Sequence, residues 1–120
     1  MSAFISVIRV RNVLLVTVPS DPTDSTIAEL QQRVLETMDE FRPKGAILDI
    51  SGVEIIDSFF ARTLTDTAKM VTLMGGPTII TGMRRAVAIT AMELGLRLEG
   101  IRSALSVNRA LDMLEQADAD

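Results

Sequence analysis

The chain contains no histidine and no cysteine, so any chemistry it carries falls to carboxylates and hydroxyls. Imidazole bases, thiolate nucleophiles, Ser-His-Asp triads, disulfides and ordinary zinc sites are excluded at once. The acids and hydroxyls with suggestive spacing crowd into one stretch, Asp49-Ile50-Ser51-Gly52-Val53-Glu54-Ile55-Ile56-Asp57-Ser58. Glu54 and Asp57 are a candidate acid/base pair, but loop spacing fixes no separation between them, and a solvated rim accounts for both. Asp49, near the end of an apolar run, has the position of a phosphoacceptor aspartate. That chemistry also needs an acidic cluster after the first strand to hold Mg²⁺ and a lysine after a later strand. The first strand-like segments carry no acid, and Lys69 falls inside a helix-like stretch. An aspartate that turns the chain at Asp49-Ile50-Ser51-Gly52 explains the residue better. No GxxxxGK[ST] and no early GxGxxG is present, and Gly75-Gly76 follows a helical pattern instead of opening one, which suits a helix stop.

Ser58 is the remaining candidate. A serine at a helix start is solvent-reachable, and a phosphate on it is tolerated by the free backbone N–H groups and the positive dipole end. The same position also suits an ordinary N-cap. Phe59 and Phe60 follow it, half of the chain's 4 phenylalanines, and mark this corner as a candidate interface with a hydrophobic anchor.

The elements that must hold this corner alternate between two periods. Ile5 to Arg11 alternates apolar and polar, and Val13 to Val18 is rich in β-branched residues, with Asn12 as a tight turn between two paired strands. Pro19 to Ser25 reads as a loop that ends in helix-start chemistry, with Asp24, Ser25 or Thr26 as the cap. Ile27, Leu30, Val34, Met38 and Phe41 then recur at helical spacing until Pro43. Gly45 to Ile50 is a short buried strand. Asp57-Ser58 opens a second helix with Ala61, Leu64, Ala68 and Val71 on one face, stopped by Gly75 and Gly76. Thr78 to Thr81 is another buried strand, and Arg84 to Leu94 a helix with Val87, Ala88, Ala91 and Leu94 on one face, ending at Gly95. A short apolar piece, Ala104 to Val107, leads into a last helix carrying Val107, Ala110, Leu111 and Leu114. The closing Gln116 to Asp120 is polar and expected to fray. The order predicts an α/β fold: a mixed, mainly parallel sheet with an antiparallel N-terminal edge and about four helices.

Composition narrows the partners. At 120 residues and 48% hydrophobic content, residues 1–120 are expected to form one domain, burying roughly two-thirds of the unfolded chain's surface without a metal or disulfide. With 12 Lys+Arg against 16 Asp+Glu, the net charge is −4 and the pI about 4.8, opposite to the footprint for nucleic acid or anionic membranes. The longest uncharged stretch, Met70 to Met83, contains Gly75, Gly76 and Pro77 and is too short to span a bilayer. The start, MSAFISVIRVR, lacks the pattern of a signal peptide. A cytoplasmic protein with no cofactor, no metal and no enzymatic activity of its own is expected.

The stretch from Leu48 to Leu96 resembles the STAS domain of anti-sigma factor antagonists. Asp49-Ile50-Ser51, Ile56-Asp57-Ser58 and the Gly75 helix stop resemble the general pattern. Gly82 to Gly95, with Arg84, Ala88, Thr90, Leu94 and Gly95, resembles the RsbS and RsbR branch of the bacterial stressosome. The resemblance covers nearly the whole chain, and it implies a single STAS domain that acts as a non-enzymatic switch. It implies phosphorylation of Ser58 by an RsbT-type serine kinase, which the unmodified protein sequesters together with RsbR-like STAS co-scaffolds and releases once modified. It further implies reversal by a PPM-type phosphatase, self-association, and a large hetero-oligomer. Thr90 lies where RsbR-type relatives carry a further phosphorylatable threonine. The partner-binding positions implied are Asp24, Asp57, Ser58 and Phe59. Many simpler antagonists have glycine after this serine; Phe59 there favours a scaffold over direct sigma-factor antagonism.

The physics of such a switch follows from charge alone. Phosphorylation adds about −1.5 to −2 charges beside Asp57 and next to apolar side chains. A like-charge contact near 4 Å costs about 1 to 4 kcal/mol between aqueous and protein-surface dielectrics. Because about 1.4 kcal/mol is tenfold in affinity, that repulsion weakens a partner complex by one to a few decades. The helix dipole offsets about 0.3 to 1 kcal/mol within the domain, so the fold survives while the interface is lost. Two other readings compete: a free anti-anti-sigma factor that binds an anti-sigma kinase directly, and a small-ligand or nucleotide-binding domain using a pocket at the sheet ends.

Overall fold

The computed structural model describes residues 5–95 and 101–119. The N-terminal alternation becomes a hairpin, β1 (Ser6–Val10) and β2 (Val13–Thr17), with Val10 opposite Val13. Arg11 and Asn12 both take positive φ, 52° and 60°, the type I′ geometry whose twist matches that of paired strands. Arg11, expected as the end of the first strand, therefore belongs to the turn. Helix α1 (Asp24–Phe41) ends where Arg42 adopts the left-handed conformation and donates its backbone N–H to Met38 O, and Pro43 cannot continue the helix.

The chain then alternates β3 (Ala46–Asp49), α2 (Ser58–Leu73), β4 (Thr78–Thr81), α3 (Arg85–Glu93), β5 (Arg102–Ala104) and α4 (Val107–Ala119). β5 lies earlier than the apolar piece Ala104 to Val107 suggests, because residues 105 and 106 form the entry to α4. There Ser106 Oγ accepts from the Arg109 backbone N–H at 3.2 Å. α4 runs on to Ala119, through most of the tail expected to fray; Gln116, Ala117 and Ala119 are good helix formers. Asp120 lies outside the described residues.

The sheet order is β1-β2-β3-β4-β5, antiparallel between β1 and β2 and parallel elsewhere. Register aligns Leu15, Ile47, Ile79 and Arg102 in one row and Val16, Leu48, Ile80 and Ser103 in the next. On one face Leu14, Val16, Ala46, Leu48 and Ile80 pack beneath α1, α2 and α3. On the other, Val13, Ile47 and Ile79 pack beneath Ala110, Leu111 and Leu114 of α4. Coverage on both faces explains why the centres of β3 and β4, Ile47-Leu48 and Ile79-Ile80, are apolar without alternation. The apolar stripe on α3 is narrower than its pattern suggests: Val87 and Ala91 are buried, while Leu94 is exposed beyond the helix end. Among the described residues, no helix is long and apolar enough to cross a membrane.

Candidate functional site

The candidate residues gather where β3 and β4 end. Register pairs Asp49 of β3 with Thr17 on one side and Thr81 on the other. Asp49 Oδ1 accepts from the Ser51 backbone N–H at 3.2 Å and from Thr81 Oγ1 at 3.1 Å, and Oδ2 accepts from Ser51 Oγ at 3.2 Å. Asp49 thus holds the strand-to-loop turn, in agreement with its sequence reading.

Gly82, just after β4, has φ +76°, and a Cβ there would lie 2.6 Å from Ser51 Cβ. Only glycine fits that approach. Arg84 closes the same corner: its Nε donates to Ser51 O at 2.9 Å, and its Nη1 lies 3.9 Å from Glu54 Oε1. The loop root is therefore fastened to both β4 and the start of α3.

Beyond the root, burial alternates. Val53 and Ile56 are buried, while Ile55 between them is 81% exposed. Asp57 follows in extended backbone and caps α2, its Oδ1 accepting from the Phe60 backbone N–H at 2.8 Å. Ser58 is consequently the first helical residue and not the cap. Its side chain is exposed, and among the described residues its hydroxyl makes no hydrogen bond. The two phenylalanines divide: Phe60 is 4% exposed and belongs to the core, whereas Phe59 is 40% exposed beside Ser58. Glu54 and Asp57 have separate partners, Arg84 and the Phe60 N–H, so they do not act as one acid/base pair.

Two depressions border this corner. Ser58 lines an open cleft of about 300 Å³ with Ala61, Arg62, Thr65, Lys69 and Leu94. A smaller one, about 150 Å³, lies between the starts of α1 and α2 and brings together Asp21, Asp24, Ile27, Ile55, Asp57 and Phe60. Asp24 and Asp57, far apart in sequence, thus share a rim. Asp24 is not the cap of α1 as expected; Thr23 is, its Oγ1 accepting from the Thr26 backbone N–H at 3.2 Å. Thr90 lines neither depression, and its hydroxyl donates to Ala86 O at 3.1 Å. Sequence reasoning missed Arg84 as a tie, the exposure of Ile55, and Arg62 and Lys69 in the cleft. Arg62 at four residues from Ser58 was available as a helical spacing signal; Arg84 was not, since its contacts cross from one loop to another.

A mixed five-stranded sheet, antiparallel at β1-β2 and parallel elsewhere, with four helices, is the architecture of a STAS domain. The STAS domain model matches residues 4–110, and the chain belongs to that family. Among solved structures it is similar to Moorella thermoacetica RsbS S58E, at 29% identity and TM-score 0.87, over 97% of this chain and 98% of that one. It is also similar to a chain in the structure described as the molecular architecture of the stressosome, a signal integration and transduction hub. There identity is 31% and TM-score 0.84, over 94% of this chain and 98% of that one. The RsbT co-antagonist protein RsbRD of Bacillus subtilis (strain 168) is 34% identical over 80 residues, 67% of this chain and 29% of that protein. RsbRC of the same organism is 38% identical over 68 residues, 55% of this chain and 24% of that protein. The matched segments thus span less than a third of these two curated relatives.

Proposed function

We propose that the protein is an RsbS-like scaffold of a stressosome-type assembly and a negative regulator of a bacterial stress-signalling pathway. Unmodified, it holds an RsbT-type serine kinase, together with RsbR-like STAS partners, on the corner formed by Asp24, Ile55, Asp57, Ser58 and Phe59. The kinase transfers the γ-phosphoryl group of ATP to Ser58 Oγ, ADP leaves, and the hydroxyl proton passes to the kinase's base. The new phosphate repels the bound surface, and the kinase is released. A PPM-type phosphatase hydrolyses the phosphoserine with water, which restores the Ser58 hydroxyl and yields inorganic phosphate.

One observation carries the reading: an exposed Ser58 hydroxyl without a partner among the described residues, next in sequence to exposed Phe59 and three residues after exposed Ile55. An apolar anchor next to a modifiable hydroxyl is what a charge-controlled interface needs, because a phosphate there opposes desolvation of the whole patch. The Moorella thermoacetica relative carries a serine-to-glutamate substitution, which places a carboxylate on a serine position in that protein. Likeness to the stressosome chain over nearly the full length supports the scaffold role.

Incubation with an RsbT-type kinase and ATP, followed by site mapping, is the direct test. Label on Ser58 that disappears in Ser58→Ala supports the reading, and label undiminished in that variant overturns the site. Native mass measurement with an RsbR-like partner separates the scaffold from a free anti-anti-sigma factor, since only the scaffold forms a large co-assembly.

A further inference from the structure

Resting on the proposed modification of Ser58, we infer that Arg84 is a positioning residue that holds the loop between β3 and α2 in the form presented to the kinase. The loop must place Asp57 and Ser58 with no secondary structure of its own. Between Asp49 and Asp57, its local backbone hydrogen bonding includes the Val53 N–H to Ile50 O, 3.0 Å. Arg84 reaches it from the start of α3 and engages two points at once, the Ser51 carbonyl at 2.9 Å and the Glu54 carboxylate at 3.9 Å.

The guanidinium suits that task because Nε and Nη1 lie in one rigid plane and donate in fixed directions. A lysine ammonium supplies a point charge and cannot reproduce the pair. Among the described residues, no other hydrogen bond or ion pair holds the Ser51 carbonyl or the Glu54 carboxylate. Asp49 holds the Ser51 side chain and backbone N–H and Gly82 lets β4 approach Ser51 closely, and Arg84 adds the Ser51 carbonyl and the Glu54 carboxylate. Immediately after Glu54 come exposed Ile55 and the Asp57-Ser58 helix start. Arg84 itself is exposed and touches neither Ser58 nor either depression. Its effect on Ser58 is therefore exerted through the loop, by restricting the conformations from which the kinase must select.

Amide hydrogen exchange on the full chain tests the first half without any kinase. In Arg84→Ala, the Val53 and Phe60 amides are expected to exchange about tenfold faster, the scale of losing a charged-donor hydrogen bond, while Leu48 in β3 stays unchanged. Arg84→Lys should recover less than half of the lost protection. Unchanged protection at Val53 and Phe60 in Arg84→Ala overturns the inference. The second half is read with an RsbT-type kinase: Arg84→Ala should raise KM for Ser58 labelling about tenfold with kcat nearly constant, because a disordered loop costs binding and leaves the transfer step intact. Equal KM in wild type and Arg84→Ala also overturns it. If the wild-type chain takes no label on Ser58, the functional reading has failed, and the exchange result still decides whether Arg84 orders the loop.

Discussion

Helices α1 and α2 begin side by side on the same rim, yet they use their hydroxyls in opposite ways. At the start of α1, Thr23 Oγ1 is the cap, and it also shares hydrogen bonds with Ser25 Oγ at 3.2 Å and with the buried Thr26 Oγ1 at 2.9 Å. All three hydroxyls are engaged. At the start of α2 the cap is a carboxylate, Asp57, and the Ser58 hydroxyl is left exposed. Both solutions satisfy the orphan N–H groups of a helix start. Only the second leaves a hydroxyl available to another protein's active site. The difference therefore separates a structural helix start from one suited to modification, using the same few residue types.

The largest expected effect breaks the contrast at the interface. Ser58→Glu should lower affinity for an RsbT-type kinase by one to a few decades, through charge repulsion beside Asp57 and desolvation at Phe59. Ser25→Glu adds its charge at the start of α1 instead of beside Ser58 and Phe59, and should lower the affinity by a smaller factor than Ser58→Glu. Calorimetric titration measures both, and equal losses would show that the whole acidic rim, and not Ser58, governs binding.

Next in size is a change at the root of the α2 loop. Gly82→Ala places a Cβ 2.6 Å from Ser51 Cβ at φ +76°, a backbone strain worth about 1 to 3 kcal/mol of stability. Urea denaturation should show that loss as a lower midpoint with an unchanged slope. The loop into α1 has no comparable knot, and its Val18 N–H to Asp49 O bond is a backbone contact that side-chain substitution leaves intact.

Removing either cap comes third. Asp57→Ala and Thr23→Ala should each cost about 1 kcal/mol, the usual value for a lost N-cap. Thr23→Ala is expected to be the costlier of the two, because it also deprives the buried Thr26 hydroxyl of its partner. A smaller loss for Thr23→Ala would mean that its hydroxyl cluster contributes nothing beyond the cap.

These helix starts also show where sequence is informative and where it falls silent. Periodicity located every helix and the β3 and β4 strands, since burial on both sheet faces writes itself as apolar runs and stripes: Leu30, Val34 and Met38 on α1, Leu64, Ala68 and Val71 on α2. The positions within a start were harder. Thr23, Asp24, Ser25 and Thr26 are all capping residue types, and choosing Thr23 requires knowing that Thr26 turns inward. Asp57-Ser58 poses the same choice, settled by the carboxylate reaching the Phe60 N–H. Ser58, Asp57 and Phe59 were legible as a group because they adjoin in sequence. Asp24 joins Asp57 only through the neighbouring packing of α1 and α2, and Arg84 joins Glu54 only because β3 and β4 are adjacent.

The smallest expected effect is also the sharpest for the contrast. If the Ser58 hydroxyl has no structural duty, Ser58→Ala should leave unfolding free energy within about 0.5 kcal/mol of wild type, the range for surface substitutions that remove no cap or core contact. Serine and alanine differ in helix propensity by less than about 0.7 kcal/mol, and alanine is the better former, so any small shift should be toward greater stability. At the same position, a hydroxyl acting as the cap would cost about 1 kcal/mol on removal. The sign of the change therefore distinguishes the two roles even where its size is modest. A stability gain together with complete loss of label in Ser58→Ala would place the serine outside the fold's own needs and leave modification as the role its exposure serves.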